Sequence, residues 1–226
     1  IKKGDRCLLI SENRPEWLIA DLSIMLSGGI TVPVYTTYTE RDYEYIIDDC
    51  TPTIIIVSDH ALYNKVKNII PKKDFIKKVL LFENILNLNE DFNLNIDNIF
   101  KKEKYNKEFF MNLKILRKDI ACIIYTSGTQ GNPKGVILSH GGILNNCEGA
   151  HELLKFFISK RPKFLTWLPL SHSYEHTVQF VQIAVGARVF YAENIDKLIK
   201  NMSDCSPEIM TAVPRFYQNL YQKINV

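Results

Sequence analysis

The stretch RCLLISENRPEWLIADLSIMLSGGITVPV, from Arg6 to Val34, contains the pattern that decides the fold. Arg6 to Ile10 is a short apolar run that predicts a buried strand, and Arg14 to Leu26 repeats apolar residues at helical spacing. A Gly-Gly pair then ends the helix, and a second apolar run predicts a strand from Ile30 to Val34. Strand, helix and strand in this order favour a βαβ unit, because parallel neighbours need a crossover that returns over the sheet.

The same alternation continues along most of the chain. Thr39 is a candidate N-cap for a helix that runs to Asp49, and TIIIV from Thr53 to Val57 predicts a fully buried strand. Further strands are predicted at Lys78–Phe82, Ile120–Tyr125, Gly135–Leu138, Phe164–Leu168, Arg188–Tyr191 and Glu208–Val213. Further helices are predicted at Gly141–Phe157, Glu175–Val185, Ile195–Met202 and Pro214–Ile224. The fold class is therefore α/β, with mostly parallel sheets flanked by helices.

One stretch, from Glu83 to Lys118, interrupts this alternation. It is rich in Asn, Lys and Ile and shows weak periodicity. We interpret it as an insertion or long loop that joins two α/β portions, residues 1–118 and residues 119–226.

Composition excludes several classes of protein. The 226 residues are 46% hydrophobic and 23% charged, which is typical of a globular chain. No apolar run approaches the roughly 20 residues that cross a bilayer. The net charge of +3 is too small to indicate a nucleic-acid partner. The five cysteines are scattered and form no CxxC pair, which favours free thiols and a cytoplasmic location.

Ten lysines lie between Lys65 and Lys107. The ordinary interpretation of such a run is a solvated face. The alternative is a surface for an acidic partner or for anionic lipid headgroups, which would give peripheral contact with a membrane.

The segment IIYTSGTQGNPKG, from Ile123 to Gly135, follows a predicted buried strand and has the chemistry of a phosphate-binding loop. Between Thr126 and Gly135 it contains three hydroxyl side chains, three glycines and Lys134. Glycines let backbone N–H groups approach an anion, hydroxyls donate hydrogen bonds, and the ammonium group supplies positive charge. A generic turn is the alternative. A Walker loop is excluded, because Lys134 lies between Pro133 and Gly135 instead of before Ser or Thr.

The order of residues in YTSGTQGNPKGV closely resembles the phosphate-loop signature of the adenylate-forming superfamily, which includes the acyl-CoA synthetases. Gln130 stands where that family usually has Thr. Three further segments resemble the long-chain fatty-acid branch: Gly4–Thr39, Thr166–Phe180 and Ala192–Ile224.

The resemblance implies an activity. Family members use ATP and Mg²⁺ to convert a carboxylic acid to an acyl-adenylate, and coenzyme A then displaces AMP. It implies that the ATP phosphates contact Thr126, Ser127, Gly128, Thr129, Gln130, Gly131 and Lys134. It also implies a Mg²⁺ contact at Thr126, a catalytic role for His172 near the reacting carboxylate, and an acyl pocket that includes Trp167, His172 and Tyr174. For Trp167, packing in the core is the stronger interpretation.

The resemblance further implies that the chain is part of the large N-terminal domain. We expect the acidic Mg²⁺ ligand and the small C-terminal domain to lie beyond Val226, so the fragment alone is expected to be inactive. Three alternatives stay open: a fatty-acyl-AMP ligase that does not use coenzyme A, a ligase for other acids, and a non-catalytic nucleotide-binding remnant. Acyl chain length and oligomeric state are left open.

A competing pattern occurs at residues 172–176, where HSYEH matches H-x-x-E-H, an inverted zinc-protease motif. It would use His172 and His176 as zinc ligands and Glu175 as base. The motif requires a helix, whereas Pro169 to Ser173 is predicted to be a loop, so this interpretation is the weaker one.

Overall fold

A computed structural model describes residues 1–83, 93–95, 108, 113–126 and 132–224 of the chain. The chain divides into two compact units, Ile1–Asn145 and Asn146–Val226. This division differs from the predicted portions 1–118 and 119–226. The first unit extends past residue 119 because the two strands that follow it, Ile120–Thr126 and Lys134–Ser139, pair within the sheet of that unit.

The first unit is built on a seven-stranded sheet in the order β5-β4-β3-β1-β2-β6-β7. Its strands are β1 (Arg6–Ile10), β2 (Ile30–Val34), β3 (Ile54–Val57), β4 (Lys78–Leu81), β5 (Asn93–Asn95), β6 (Ile120–Thr126) and β7 (Lys134–Ser139). Every neighbouring pair from β5 to β6 is parallel, and β7 joins β6 as an antiparallel hairpin. The predicted α/β class with a mostly parallel sheet is confirmed.

Helices connect these strands. They are α1 (Pro15–Leu26), α2 (Glu40–Cys50) and α3 (His60–Val66), and a short 3₁₀ helix follows at Ile70–Lys72. The predicted N-cap of α2 is confirmed, since Thr39 Oγ1 accepts a hydrogen bond from the Asp42 N–H and Asp42 Oδ2 accepts one from the Thr39 N–H. Helix α3 was not predicted. Its seven residues are too few to show helical periodicity, although Asp59 caps it by accepting a hydrogen bond from the Leu62 N–H.

The core of the first unit lies against its parallel strands. Alternate residues of the central strands, among them Leu8, Ile10, Val32 and Ile55, are fully buried in one cluster. That cluster also contains Tyr43 from α2 and Tyr125 from β6. Parallel strands are covered on their faces by crossover helices, which explains the continuous apolar runs in the sequence.

The predicted insertion contains one described strand. β5 (Asn93–Asn95) extends the sheet by pairing with β4 in parallel. Most other residues between Glu83 and Lys118 lie outside the described part of the chain, so the interpretation of this segment as an insertion stays a prediction.

The second unit has a three-stranded parallel sheet in the order β10-β8-β9, made of β8 (Lys163–Thr166), β9 (Arg188–Tyr191) and β10 (Ile209–Met210). Helix α4 (His140–Leu154) leads into this unit, which also contains α5 (Ser173–Ala184), α6 (Leu198–Cys205) and α7 (Pro214–Ile224). The predicted helix at Ile195–Met202 begins three residues later than expected. Within the described part of the chain, no helix is both long enough and apolar enough to cross a membrane.

Candidate functional site

The two ends of the glycine-rich loop are fixed by the β6–β7 hairpin. Thr126 is the last residue of β6 and Lys134 is the first of β7, and they lie opposite each other in the antiparallel register. Both side chains are exposed. The loop leaves the carboxyl end of β6, the end at which open α/β sheets bind ligands. The predicted phosphate contacts Ser127, Gly128, Thr129, Gln130 and Gly131 lie outside the described residues.

Tyr125 and Gly135 are the next pair of the hairpin, directly adjacent to the ends of the loop. A Cβ atom at position 135 would lie 2.8 Å from Cγ2 of Ile123 and 3.3 Å from Cζ of Tyr125. Since real Cβ atoms essentially never approach to 2.8 Å, any larger residue here would force the Ile123 side chain or the hairpin to shift. The glycine in PKG therefore has a packing role as well as a place in the motif.

His172 is the N-cap of helix α5. Its Nδ1 accepts a hydrogen bond of 3.2 Å from the Tyr174 N–H, and its ring is exposed. Tyr174 is also half exposed, at 49%. Both side chains therefore stand at the helix start, which follows the carboxyl end of β8 through a short loop. The predicted loop from Pro169 is confirmed as far as the helix N-cap.

Trp167 has a different environment. Its Nε1–H donates a 2.6 Å hydrogen bond to the Thr211 carbonyl, and its ring packs against Phe216 with centroids 5.2 Å apart. It also lines a cavity of about 990 Å³ together with Leu198, Ile199, Val213 and Leu220. His172 and Tyr174 do not line this cavity, and an acyl pocket that includes all three residues stays a prediction.

A buried polar network connects α5 with the sheet of the second unit. Glu175 is only 1% exposed; its Oε2 accepts a 2.5 Å hydrogen bond from Thr211 Oγ1, and its Oε1 has no hydrogen-bond partner. Burial raises the pKa of this carboxyl to about 7, an effect that the Thr211 and Thr166 hydroxyls partly offset. The sequence motif assigns Glu175 only the role of base in a zinc site, and no local signal predicts its burial.

The same network extends along α5 through side-chain amides. Gln182 Nε2 donates to Thr166 Oγ1 at 2.9 Å, and Gln179 Nε2 donates to Gln182 Oε1 at 2.9 Å. Tyr191 completes the chain by donating to Gln179 Oε1. The glutamines are fully buried, so these hydrogen bonds satisfy groups that would otherwise be costly to bury.

The structure does not favour the zinc-protease interpretation. His172 precedes the helix, and its Nδ1 is occupied by a backbone N–H, whereas the motif needs both histidines on one helix. Glu175 is buried against Thr211. Among the described residues, no group of three or more His, Cys, Asp or Glu side chains could hold a metal ion.

The predicted Mg²⁺ contact at Thr126 can be compared with the side chains around it. Thr126 offers one hydroxyl, and the described residues place no carboxylate cluster beside it. These residues alone do not make a Mg²⁺ site, because this ion is usually held by carboxylates together with substrate phosphates.

A family model and curated relatives both match this chain over nearly its whole length. A family model described as "AMP-binding enzyme" matches residues 1–225. Long chain acyl-CoA synthetase 6, peroxisomal, of Arabidopsis thaliana is 30% identical over 94% of this chain, and long-chain-fatty-acid–CoA ligase 5 of Rattus norvegicus is 27% identical over 96%. The chain spans 31% and 33% of the length of these two relatives.

Solved structures share the fold. A long-chain-fatty-acid-CoA ligase from Archaeoglobus fulgidus superposes with a TM-score of 0.81 at 22% identity, over 100% of this chain and 43% of that one. ATP-bound MatB from Rhodopseudomonas palustris gives 0.72 at 24% identity, over 98% of this chain and 42% of that one.

Proposed function

Because this chain belongs to the AMP-binding enzyme family, we propose that it contributes the phosphate loop and part of the acyl site to an enzyme that activates long-chain fatty acids with ATP. The product of the first step is an acyl-adenylate, and coenzyme A then receives the acyl group. The names of the relatives, long-chain acyl-CoA synthetases and ligases, support this choice of substrate and acceptor.

One observation carries the proposal. Thr126 and Lys134 lie opposite each other at the two ends of a glycine-rich loop, at the carboxyl end of a parallel strand. A hydroxyl and an ammonium group at this place suit the β- and γ-phosphates of a nucleotide.

The chemistry assigned to these residues is electrostatic. A fatty-acid carboxylate attacks the α-phosphate, the bond to the bridging oxygen breaks, and pyrophosphate leaves with the bonding electrons. Lys134 and the hydroxyl of Thr126 stabilise the negative charge that accumulates on the leaving group. Mg²⁺ would neutralise phosphate charge when bound, with Thr126 as one contact and its other ligands outside the described residues.

The second unit supplies candidates for the acid. His172 and Tyr174, exposed at the start of α5, are proposed to contact the carboxylate end. The cavity beside Trp167 is lined mainly by apolar side chains such as Leu198 and Val213, which suit an acyl chain, and also by Asp196, Arg215 and Gln222.

The test is an ATP–pyrophosphate exchange assay of the complete gene product with fatty acids of 8 to 20 carbons, followed by thioester formation with and without coenzyme A. Exchange that depends on long-chain acids, with thioester formed only when coenzyme A is present, supports the proposal. Exchange without thioester would indicate a fatty-acyl-AMP ligase, and no exchange with any acid would indicate a nucleotide-binding remnant.

We also propose a cytoplasmic location with peripheral contact at a membrane surface. The five cysteines are free and buried, which suits a reducing compartment. Near the end of α4, three large apolar side chains are strongly exposed: Leu153 at 73%, Phe156 at 78% and Phe157 at 84%. The exposed cations Lys160 and Arg161 follow after Ile158 and Ser159, and this mixture of aromatic and basic groups suits an anionic lipid surface.

The lysines between Lys65 and Lys107 give weaker support for membrane contact. Lys65 donates to the Thr36 and Tyr38 carbonyls, Lys73 pairs with Asp48, and Lys77 donates to the Asp74 carbonyl. The lysines from Lys101 to Lys107 lie outside the described residues.

Flotation with anionic vesicles should therefore be weakened by Phe156→Ser with Phe157→Ser and not by Leu26→Ser, a change at another exposed apolar residue. Equal flotation of all variants would contradict this surface.

A further inference from the structure

We propose that Asp49 and Tyr125 are positioning residues for Thr126 and Lys134, the two ends of the phosphate loop, because the hydrogen bond between the Asp49 and Tyr125 side chains holds the base of the hairpin that carries these ends. The inference rests on the proposed function. It adds Asp49, a residue of α2 that lies outside every segment in which the sequence resembles the family.

The contact joins two distant parts of the chain. The Tyr125 hydroxyl donates a 2.5 Å hydrogen bond to Asp49 Oδ2, across 76 positions of sequence. Tyr125 immediately precedes Thr126, the first residue of the loop, and is 3% exposed in the core. Asp49 lies in the last turn of α2 with its side chain on the exposed face. The helix end therefore fixes the strand end from which the loop departs.

Tyr125 also supports the other end of the loop. It pairs with Gly135 in the hairpin, and its ring lies so close to this residue that a Cβ there would be 3.3 Å from Cζ. Lys134 precedes Gly135 directly. A shift of the Tyr125 ring would thus displace the backbone beside both Thr126 and Lys134.

The hydrogen bond between Tyr125 and Asp49 has the chemistry of a stable structural contact. Burial, together with the hydrogen bond to Asp49, raises the pKa of the Tyr125 phenol above its ordinary value of 10, so the hydroxyl keeps the proton that it donates. Hydrogen bonds to a carboxylate are stronger and shorter than those between neutral groups. Misplacing catalytic contacts by about 1 Å costs on the order of a hundredfold in rate, so a partial loss of support should be measurable.

The experiment uses three single variants of the complete gene product, Tyr125→Phe, Asp49→Ala and Asp49→Asn, and one double variant. Tyr125→Phe removes the donor, and Asp49→Ala removes the acceptor at an exposed position. Both should lower kcat/KM for ATP about tenfold in pyrophosphate exchange, with KM for the fatty acid within about twofold of wild type. Asp49→Asn keeps an oxygen that accepts from the phenol and should restore most of the activity. The double variant Asp49→Ala, Tyr125→Phe should be no worse than either single variant.

Tyr43→Phe is the matched control. Tyr43 is buried in the same core cluster, and its hydroxyl also makes one hydrogen bond, 2.8 Å to the Tyr35 carbonyl. Its loss should lower the thermal unfolding midpoint about as much as Tyr125→Phe while leaving the ATP parameters unchanged.

The outcomes separate this inference from the proposed function. If wild type exchanges pyrophosphate but Tyr125→Phe and Asp49→Ala retain wild-type ATP parameters, or lose no more than Tyr43→Phe, the positioning role is wrong. If Asp49→Asn is as impaired as Asp49→Ala, the hydrogen bond is not the cause and the inference is also overturned. If wild type itself shows no exchange, the proposed function fails. The pair is then judged by ATP binding, which Tyr125→Phe should weaken and Tyr43→Phe should not.

Discussion

The buried carboxyl of Glu175 should make the stability of the protein depend on pH in a direction opposite to that of a typical carboxylate. Burial raises its pKa from the usual 4.5 to about 7. One pKa unit corresponds to about 1.4 kcal/mol, so the rise amounts to about 3 kcal/mol. We predict that the free energy of unfolding of wild type depends on pH differently from that of Glu175→Gln, which cannot ionise.

The sign follows from which state holds the proton. Below pH 4.5 the carboxyl is protonated in both the folded and the unfolded chain, and its full contribution to stability is present. Between pH 4.5 and about 7 the unfolded chain releases the proton while the folded chain retains it, so the free energy of unfolding falls as pH rises. Above the folded pKa both states are ionised and the loss is complete. Relative to Glu175→Gln, wild type should therefore lose about 3 kcal/mol, most of it between pH 5 and 7.

Urea unfolding from pH 5 to 8, followed by tryptophan fluorescence, measures this difference, since Trp167 donates its hydrogen bond to the same Thr211 that contacts Glu175. Glu208→Gln serves as control. The pKa of Glu208 is lowered by hydrogen bonds from the Ser159 N–H and hydroxyl, so its contribution should be lost as pH falls. Wild-type and Glu175→Gln curves that stay parallel within about 1 kcal/mol would refute a carboxyl buried in this way.

Three further changes test other parts of the molecule. Lys134→Ala should lower kcat for pyrophosphate exchange about a hundredfold with little effect on thermal unfolding, and near-normal exchange would contradict its contact with the leaving group. Trp167→Phe keeps most of the ring packing on Phe216 but loses the donor to the Thr211 carbonyl, so urea unfolding should show a loss of about 1–2 kcal/mol; an unchanged midpoint would contradict this contact. Thr39→Ala removes the cap of α2 and should cost about 1 kcal/mol in the same measurement, whereas Thr39→Ser, which keeps the hydroxyl, should cost little.

Local features of this protein could be predicted well from its sequence. The strands of the first βαβ unit, the capped start of α2 and the proline at the start of α7 all follow from neighbouring residues. Helix α3 escaped prediction, since its only strong local signal is the cap at Asp59. The candidate phosphate loop is predictable from the sequence because its hydroxyls, glycines and lysine lie within a few consecutive residues.

The sequence by itself determined the α/β class, the family resemblance and the residues that frame the loop, because each depends on short-range order along the chain. The tertiary structure alone decided that β6 lies beside β2, that Asp49 holds Tyr125, and that Glu175 is buried without a partner for one oxygen. These features join residues far apart in sequence, and their energies depend on strand order, burial and distance. No periodicity or motif encodes those quantities, so they appear only when the sheet is assembled.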